Sequence, residues 1–310
     1  MALVSPLNSA AFVKLLKKDM YEVSESSYAA LKMQGKELYR EVSPDELVTE
    51  FYSVSGLPDI PDFNGKLSYL GRAPGFYTRI EPKTFAAGVE TERKFIDYNQ
   101  WPVLRDHRKA LVESFGRTQE KARARAFNYA FSAAFEFQQS EEGLSLCNDS
   151  HTTKTGVSTS VGFDNAGTSA LDKTSVAATW LAMRQFRDPM GERIEMSDNF
   201  QLIVPDTLGD AAEEIAGTVK SLDTAEGNIN PQYGRYKVFR YMRLDDFDTN
   251  NWFMVNTDLM KKYLIWVTGK PAMETDTIID FETKSVKHSI YGMWGYGFTD
   301  FRWIYGHNVS

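Results

Sequence analysis

The sequence predicts an α+β protein of about two domains, carrying projections that a compact monomer does not need. Three observations lead there. The hydrophobic period is helical in the first 60 residues, alternates between 76 and 96, is helical again from 100 to 139, and then breaks into short mixed elements. The chain has 310 residues, where roughly 150 per domain is ordinary. Apolar content is 42% and charged content 25%, which excludes disorder over the whole length.

The elements follow in order. Ser9 is placed to cap a short helix with Phe12, Leu15 and Leu16 on one side. A second helical pattern spans Ser27 to Tyr39. Ser43-Pro44-Asp45 then reads as a helix start with proline in the first turn. Residues 1–61 form an N-terminal arm, which either docks on another molecule or packs on a small core of its own. Residues 56–65 are a turn-rich linker. Phe76–Glu81 and Val89–Ile96 alternate as strands, punctuated by Pro82 and Gly88, and read together as a long hairpin. A lone two-stranded hairpin is marginal in water, so this one needs a partner surface.

Residues 100–139 give the strongest helical signal. Pro102 sits near the start, and Leu104, Leu111, Phe115, Ala122, Ala126, Ala130, Ala133 and Phe137 recur at helical spacing. A helix of that length would reach ~50–60 Å. Gly116 marks a bend or a close contact. Arg105, Arg108, Lys109, Arg117, Lys121, Arg123 and Arg125 make a basic stripe, but Glu113 and Glu120 among them favour a solvated or salt-bridged face over DNA contact. Residues 143–170 are loop-like. Asp172 caps a helix to Phe186, Asp188–Gly191 is a turn, and Phe200–Val204 is a buried strand. Pro205 opens a helix from Asp206 to Val219, and a polar loop runs from Ser221 to Gly234. Strands are predicted at Tyr236–Tyr241, Trp252–Asn256 and Tyr263–Val267. From Ile278 to Tyr305 the pattern is β again, with aromatics packed around Gly292, Gly295 and Gly297.

Catalytic chemistry is hard to find. The only glycine-lysine pair near a phosphate-loop pattern, Gly269-Lys270, is followed by Pro271. Asp246, Asp248 and Asn250 open like a calcium loop, yet Asn251 and Thr257 stand where glycine and glutamate are required. Cys147 and His151 lie four apart, with no readable oxyanion site; a buried thiol beside a loop histidine is the better reading. One cysteine excludes an internal disulfide and points to a reducing compartment. Four histidines leave few acid–base candidates. The N-terminus lacks a secretory pattern, and no apolar run is long enough to span a bilayer. The charge balance, 35 basic against 42 acidic residues, disfavours tight DNA binding. Aromatics are heavy, with 20 Phe, 15 Tyr and 6 Trp, and such side chains collect in cores and interfaces. Projections of this kind are better explained by partners than by catalysis, and identical copies are the default partners.

The order of arm, hairpin, long helix, inserted α/β domain and returning β segment resembles the Hong Kong 97 fold of tailed-bacteriophage major capsid proteins. The local sequence is similar to the Mu-like major head subunit family. The resemblance is carried by Gly88–Asp97, by Cys147–His151 with Asn165-Ala166-Gly167, and by Arg187–Glu192 with Leu202–Asp206. Asn251-Trp252-Phe253, Leu259–Lys262 and Gly297–Trp303 complete it. It spans about residues 45–308.

The resemblance implies an extended loop at 62–95 and a peripheral domain with its spine helix at 96–145 and 275–310. It implies an axial domain at 146–274. Phe76, Tyr77, Arg79, Phe85, Glu92, Arg93 and Tyr233 become candidate subunit contacts. The implied function is an icosahedral shell of hexamers and pentamers enclosing phage DNA without sequence-specific binding. No cofactor, metal, catalytic residue or membrane is implied. Scaffolding, portal and decoration proteins are the implied further partners, and the implied location is the virion, after assembly in the host cytoplasm. An encapsulin-type compartment is the alternative within this fold. An enzyme of unknown type in the 146–274 domain is the alternative of another class.

Overall fold

One strand organises the molecule. The computed structural model describes residues 10–217, 230–280, 282–283 and 285–309, with side chains from Lys14 onward. In it β12 (Ser285–Phe298) runs antiparallel to three partners. These are β4 (Lys83–Glu92) along ten positions, β11 (Glu274–Ile279), and β10 (Leu264–Thr268). The short β1 (Arg40–Val42) completes this five-stranded sheet by parallel pairing with β10. The glycines of the aromatic run permit close approach. A Cβ at Gly292 would meet Phe115 at 2.5 Å, and one at Gly297 would meet Gln138 at 2.6 Å.

The long helix α3 (Trp101–Asn128) lies on one face of that sheet. Its 28 residues reach ~42 Å, shorter than the sequence predicts. Ala130, Ala133 and Phe137 fall beyond it, because the apolar residues past Tyr129 serve separate partners. Phe131 stacks on Phe253 at 5.9 Å, Phe135 meets Phe298 at 5.8 Å, and Phe137 meets Tyr296 at 5.0 Å. Gly116 is a close contact: a Cβ there would meet Leu31 at 2.4 Å. Part of the basic stripe is salt-bridged, with Arg105 on Asp19, Arg123 on Glu41 and Arg125 on Glu136, while Lys109, Arg117 and Lys121 are exposed. Arg108 is fully buried. It donates through Nε to Ser24 Oγ at 2.6 Å and through Nη1 to the carbonyls of Asp276 and Ser289 at 3.1 and 3.2 Å.

The arm departs from expectation in two places. The two helical patterns of its first 40 residues resolve as one helix, α1 (Ala10–Ala30), followed by a 3-10 turn at Gln34–Glu37. Leu16 and Met20 bury against Ile96, Leu104 and Val286, while Leu15 stays exposed; the Phe12 side chain and Ser9 lie outside the described residues. The arm therefore packs on its own subunit. Ser43-Pro44-Asp45 starts no helix. Thr49–Val54, rich in β-branched and aromatic residues and alternating in burial, forms strand β2 instead.

The expected hairpin between 76 and 96 is not formed. β3 (Pro74–Ile80) pairs with β2 and, at its base, with β5 (Gln138–Ser140), whereas β4 goes to β12. Two residues separate β3 from β4. The second, buried Pro82, has no N–H for a ladder, and it lies 3.1 Å from where a Gly295 Cβ would stand. The chain thus carries a hairpin at 49–80, displaced toward the N-terminus.

The inserted domain holds the second sheet, ordered β6 (Ala166–Gly167), β13 (Ile304–His307), β9 (Trp252–Asn256), β7 (Phe200–Val204) and β8 (Tyr236–Arg240). The sheet joins the C-terminal β13 to strands from between residues 166 and 256. One face, through Phe200, Leu202 and Val204, packs under α4 (Lys173–Met183) and α5 (Gly209–Gly217). The other face, through Ile203, Phe253 and Val255, joins the core around α3. Asp172 caps α4 as its spacing predicts, accepting from Ser175 N–H at 2.7 Å. Most of the polar loop from Ser221 to Gly234 and the predicted helix end at Val219 lie outside the described residues. A helix absent from the expectations, α6 (Thr257–Tyr263), joins β9 to β10; Asn256 caps it by accepting from Leu259 N–H at 3.2 Å.

Two outcomes follow. Ala122→Pro, in the buried middle of α3, should cost at least ~3 kcal/mol by removing a helical hydrogen bond; an unchanged melting temperature would refute the helix. The second concerns two buried histidines. Burial, with Arg108 and His107 nearby, holds the His288 imidazole down at about 4, and burial alone does the same to His307. His307 Nδ1 accepts from Ser169 N–H at 3.2 Å, and its Nε2 lies 2.8 Å from Thr179 Oγ1, so the neutral ring is already fully used. The folded state therefore binds fewer protons than the unfolded chain. Stability should be full above the ordinary histidine range, near pH 6.5, and fall toward pH 4, by about 3 kcal/mol per histidine. Urea midpoints at pH 7 and 4.5 measure this, and His288→Gln should flatten the profile.

Candidate subunit-contact surfaces

The β2–β3 hairpin ends in a tip of residues 55–73, without regular structure. Its neck is closed by Ser55 N–H to the Ala73 carbonyl at 2.9 Å and Ala73 N–H to Ser55 Oγ at 2.8 Å. Beyond the neck Leu57, Ile60, Phe63, Leu67 and Tyr69 are exposed, Ile60 by 88% and Tyr69 by 94%. Tyr52 and Val54 continue the exposed apolar surface onto β2. Scattered exposed apolar residues are ordinary, but a concentration this large marks an interaction site.

The base of the hairpin is anchored. Tyr77 N–H donates to Glu141 Oε2 at 3.1 Å, and Lys154 pairs with Glu141 while lying 5.4 Å over the Phe76 ring. The lysine lowers the Glu141 carboxyl below its ordinary range through their hydrogen bond. Rigid base and exposed tip together make a lever that presents apolar side chains away from the body.

The seven candidate contacts are spread over four places. Phe76, Tyr77 and Arg79 share β3 at the hairpin base. Phe76 is half-buried under Lys154, Tyr77 is exposed 6.3 Å from Tyr52, and Arg79 pairs with Glu81 at 3.7 Å. Phe85 on β4 turns into its own subunit, stacked on Trp294 at 3.9 Å. Glu92 pairs with Lys94 at 2.5 Å and Arg93 with Asp97 at 3.5 Å, close to where the chain enters α3. Tyr233 stands apart and exposed, before β8. Sequence reasoning missed the five apolar residues of the tip. Their signal was present, since large apolar residues recur through a segment broken by Pro58, Pro61, Gly65 and Gly71.

The chemistry-bearing residues are otherwise engaged. Cys147 is buried against Gly306, and burial pushes its thiol up, away from the thiolate that nucleophilic catalysis needs. His151 stacks flat on Phe301 at 3.6 Å and holds Glu142 at 3.1 Å. Asp246 pairs with Arg243, and Asp248 accepts from Asn250 N–H. Among the described residues no group of three or more histidine, cysteine or carboxylate side chains could hold a metal ion, and no helix is long and apolar enough to cross a membrane.

An anchored, projecting apolar hairpin on a two-sheet body with a long helix defines a subunit made to associate with others. The model of the phage capsid protein family matches residues 76–306, and the chain belongs to that family. No curated protein matches it by sequence. Solved structures agree on the fold. The capsid of an empty GTA particle matches with a TM-score of 0.55 at 11% identity, covering 91% of each chain. The procapsid of bacteriophage JBD30 gives 0.53 at 11%, covering 97% of this chain and 76% of that one. Mycobacterium phage Patience gives 0.54 at 10%, covering 94% and 86%. The chain is thus a major capsid protein with the Hong Kong 97-like fold; the family match is coarser than the Mu-like branch.

Replacing residues 56–72 by a short turn should leave a folded subunit with an unchanged circular-dichroism spectrum that no longer forms closed particles. Normal particles from the truncated chain would rule the tip out as a subunit clamp.

Proposed function

We propose that this chain builds the icosahedral head of a tailed phage as a purely structural subunit, arranged in hexameric and pentameric rings. The observation that carries this is the β2–β3 hairpin, whose apolar tip residues stay exposed among the described residues of their own subunit. A neighbouring copy supplies their counter-surface, and such head-to-tail contacts close into rings. The family match favours a phage head over a cargo-holding compartment. Burial of the Cys147 thiol and of the His151 ring, stacked flat on Phe301, argues against catalysis in the 146–274 region. The peripheral and axial divisions at 96–145 with 275–310 and at 146–274 belong to this reading, as do the virion location and the DNA interior. Scaffolding, portal and decoration proteins are its further partners.

Electron microscopy of the expressed chain tests the proposal. Closed icosahedral particles are expected; monomers or dimers at every concentration would overturn it. A second measurement concerns charge. The chain carries a net charge of −7, and like-charged subunits repel until salt shortens the screening length to ~10 Å at 0.1 M. Light scattering should show faster assembly in moderate than in low salt. Equal rates would remove repulsion from the account.

A further inference from the structure

Sheet edges are templates for pairing, and proteins blunt them with short strands, charges, prolines, bulges or covering helices. This subunit blunts nearly all of its own. Strands β1 and β5 have three residues each and β6 has two. Strand β11 lies against α1, with Asp276 tied to Lys17 at 2.9 Å. Strand β8 carries Lys237 and Arg240.

Strand β4 is different. It pairs with β12 on one side, and among the described residues no strand pairs with its other side. Its ten residues present an edge of ~33 Å. The register with β12 is unbroken, so no bulge protects it. From Thr84 to Val89 there is no charge and no proline, and Ala86, Ala87 and Gly88 are exposed.

The same chain carries a strand with the complementary need. Strand β2 is the outer strand of the hairpin, paired among the described residues only with β3, and it exposes Tyr52 and Val54. It also carries Glu50, which accepts from its neighbour Tyr52 Oη at 2.5 Å, while Lys83 at the start of β4 lies 5.0 Å over the Phe137 ring and forms no ion pair among the described residues. Two different unpaired edges on one molecule are what a head-to-tail contact between copies requires.

We propose that β4 is the acceptor edge for strand β2 of a second copy of this chain, which extends the β12 sheet across the subunit boundary. The proposal rests on the shell-subunit reading and names its docking edge. Main-chain hydrogen bonds supply the attraction, as in other strand additions, and the small side chains at 86–88 let the incoming backbone approach. The hairpin tip then lies beyond this junction, over the neighbour.

Cysteine pairing tests it. The chain's own cysteine is buried, so introduced thiols react alone. Ala86→Cys or Ala87→Cys is combined in turn with Glu50→Cys, Tyr52→Cys and Val54→Cys. Paired strands bring Cα atoms to ~4.5–5.5 Å, within disulfide reach. Mild oxidation of assembled particles should give a covalent, reductant-sensitive ladder of subunits in at least one combination, and none in single variants. Ala87→Lys should raise the concentration needed for assembly by about tenfold or more through a charge on the edge, with an unchanged melting temperature. Closed particles with no ladder in any combination would overturn the docking edge and leave the shell reading intact. Failure of the unaltered chain to form particles would overturn the shell reading itself.

Discussion

The structure depends on what converges on Trp294. This indole, in the middle of β12, is fully buried. Phe85 of β4 stacks on it at 3.9 Å with an interplanar angle of 7°. Phe115 of α3 meets it edge-on at 5.1 Å, and Trp266 of β10 lies parallel at 6.5 Å. One side chain near the C-terminus thus ties together the strand that follows the hairpin, the long helix and the strand leaving the inserted domain. Edge-on and offset pairs such as those with Phe115 and Trp266 contribute ~0.5–1.5 kcal/mol each beyond simple burial. Gly292 makes the arrangement possible, because any side chain there would displace the Phe115 ring.

Around that centre, buried charge sets register between elements. Arg108 sits where α1, α3, β11 and β12 meet, and its hydrogen bonds go to a hydroxyl and two carbonyls instead of a carboxylate. Burial lowers its pKa, yet a guanidinium stays charged at any ordinary pH. A buried cation is expensive unless each bond is in place. The site therefore tolerates one alignment of α1 on the sheet and penalises slippage. The arm is docked by this constraint together with the small Leu16–Met20 cluster, while Lys17–Asp276 and Arg105–Asp19 are exposed and worth less.

The sequence made local order legible and left pairing hidden. The start of α3 at Pro102, the Asp172 cap, the Asp188 turn and the Phe200–Val204 strand all stand where local rules put them. Errors arose where distant contacts decided the outcome. Residues 129–137 keep a helical period, but each aromatic is claimed by a different partner, so the helix ends at Asn128. Of the strands expected at Phe76–Glu81 and Val89–Ile96, residues 76–80 and 89–92 are strand, whereas Lys94–Ile96 belong to a short helix, Lys94–Asp97, that leads into α3; strand identity does not specify a partner either, and β4 pairs with β12 some 200 residues away. Nothing local distinguishes that pairing from a hairpin. Helix α6 was missed because a seven-residue helix shows hardly two turns of period, although Asn256 was readable as its cap.

The corrected pairing changes how the molecule divides its labour. Had residues 76–96 been a free hairpin, the projecting element would have carried Phe85 and Val89, which instead build the core. By giving β4 to the body and β2 with β3 to the projection, the chain separates the two tasks completely. The body closes its own core around Trp294 within a single subunit. The hairpin keeps its apolar residues at a tip that its own body never covers. A subunit arranged in this way can fold first and associate afterwards, since the surface that drives association takes no part in the core. The aromatic surplus divides in part along the same line: most of it fills two cores, Tyr52, Phe63 and Tyr69 stand exposed on the hairpin, and Tyr21, Tyr98, Tyr129, Tyr233 and Phe247 are exposed elsewhere on the body.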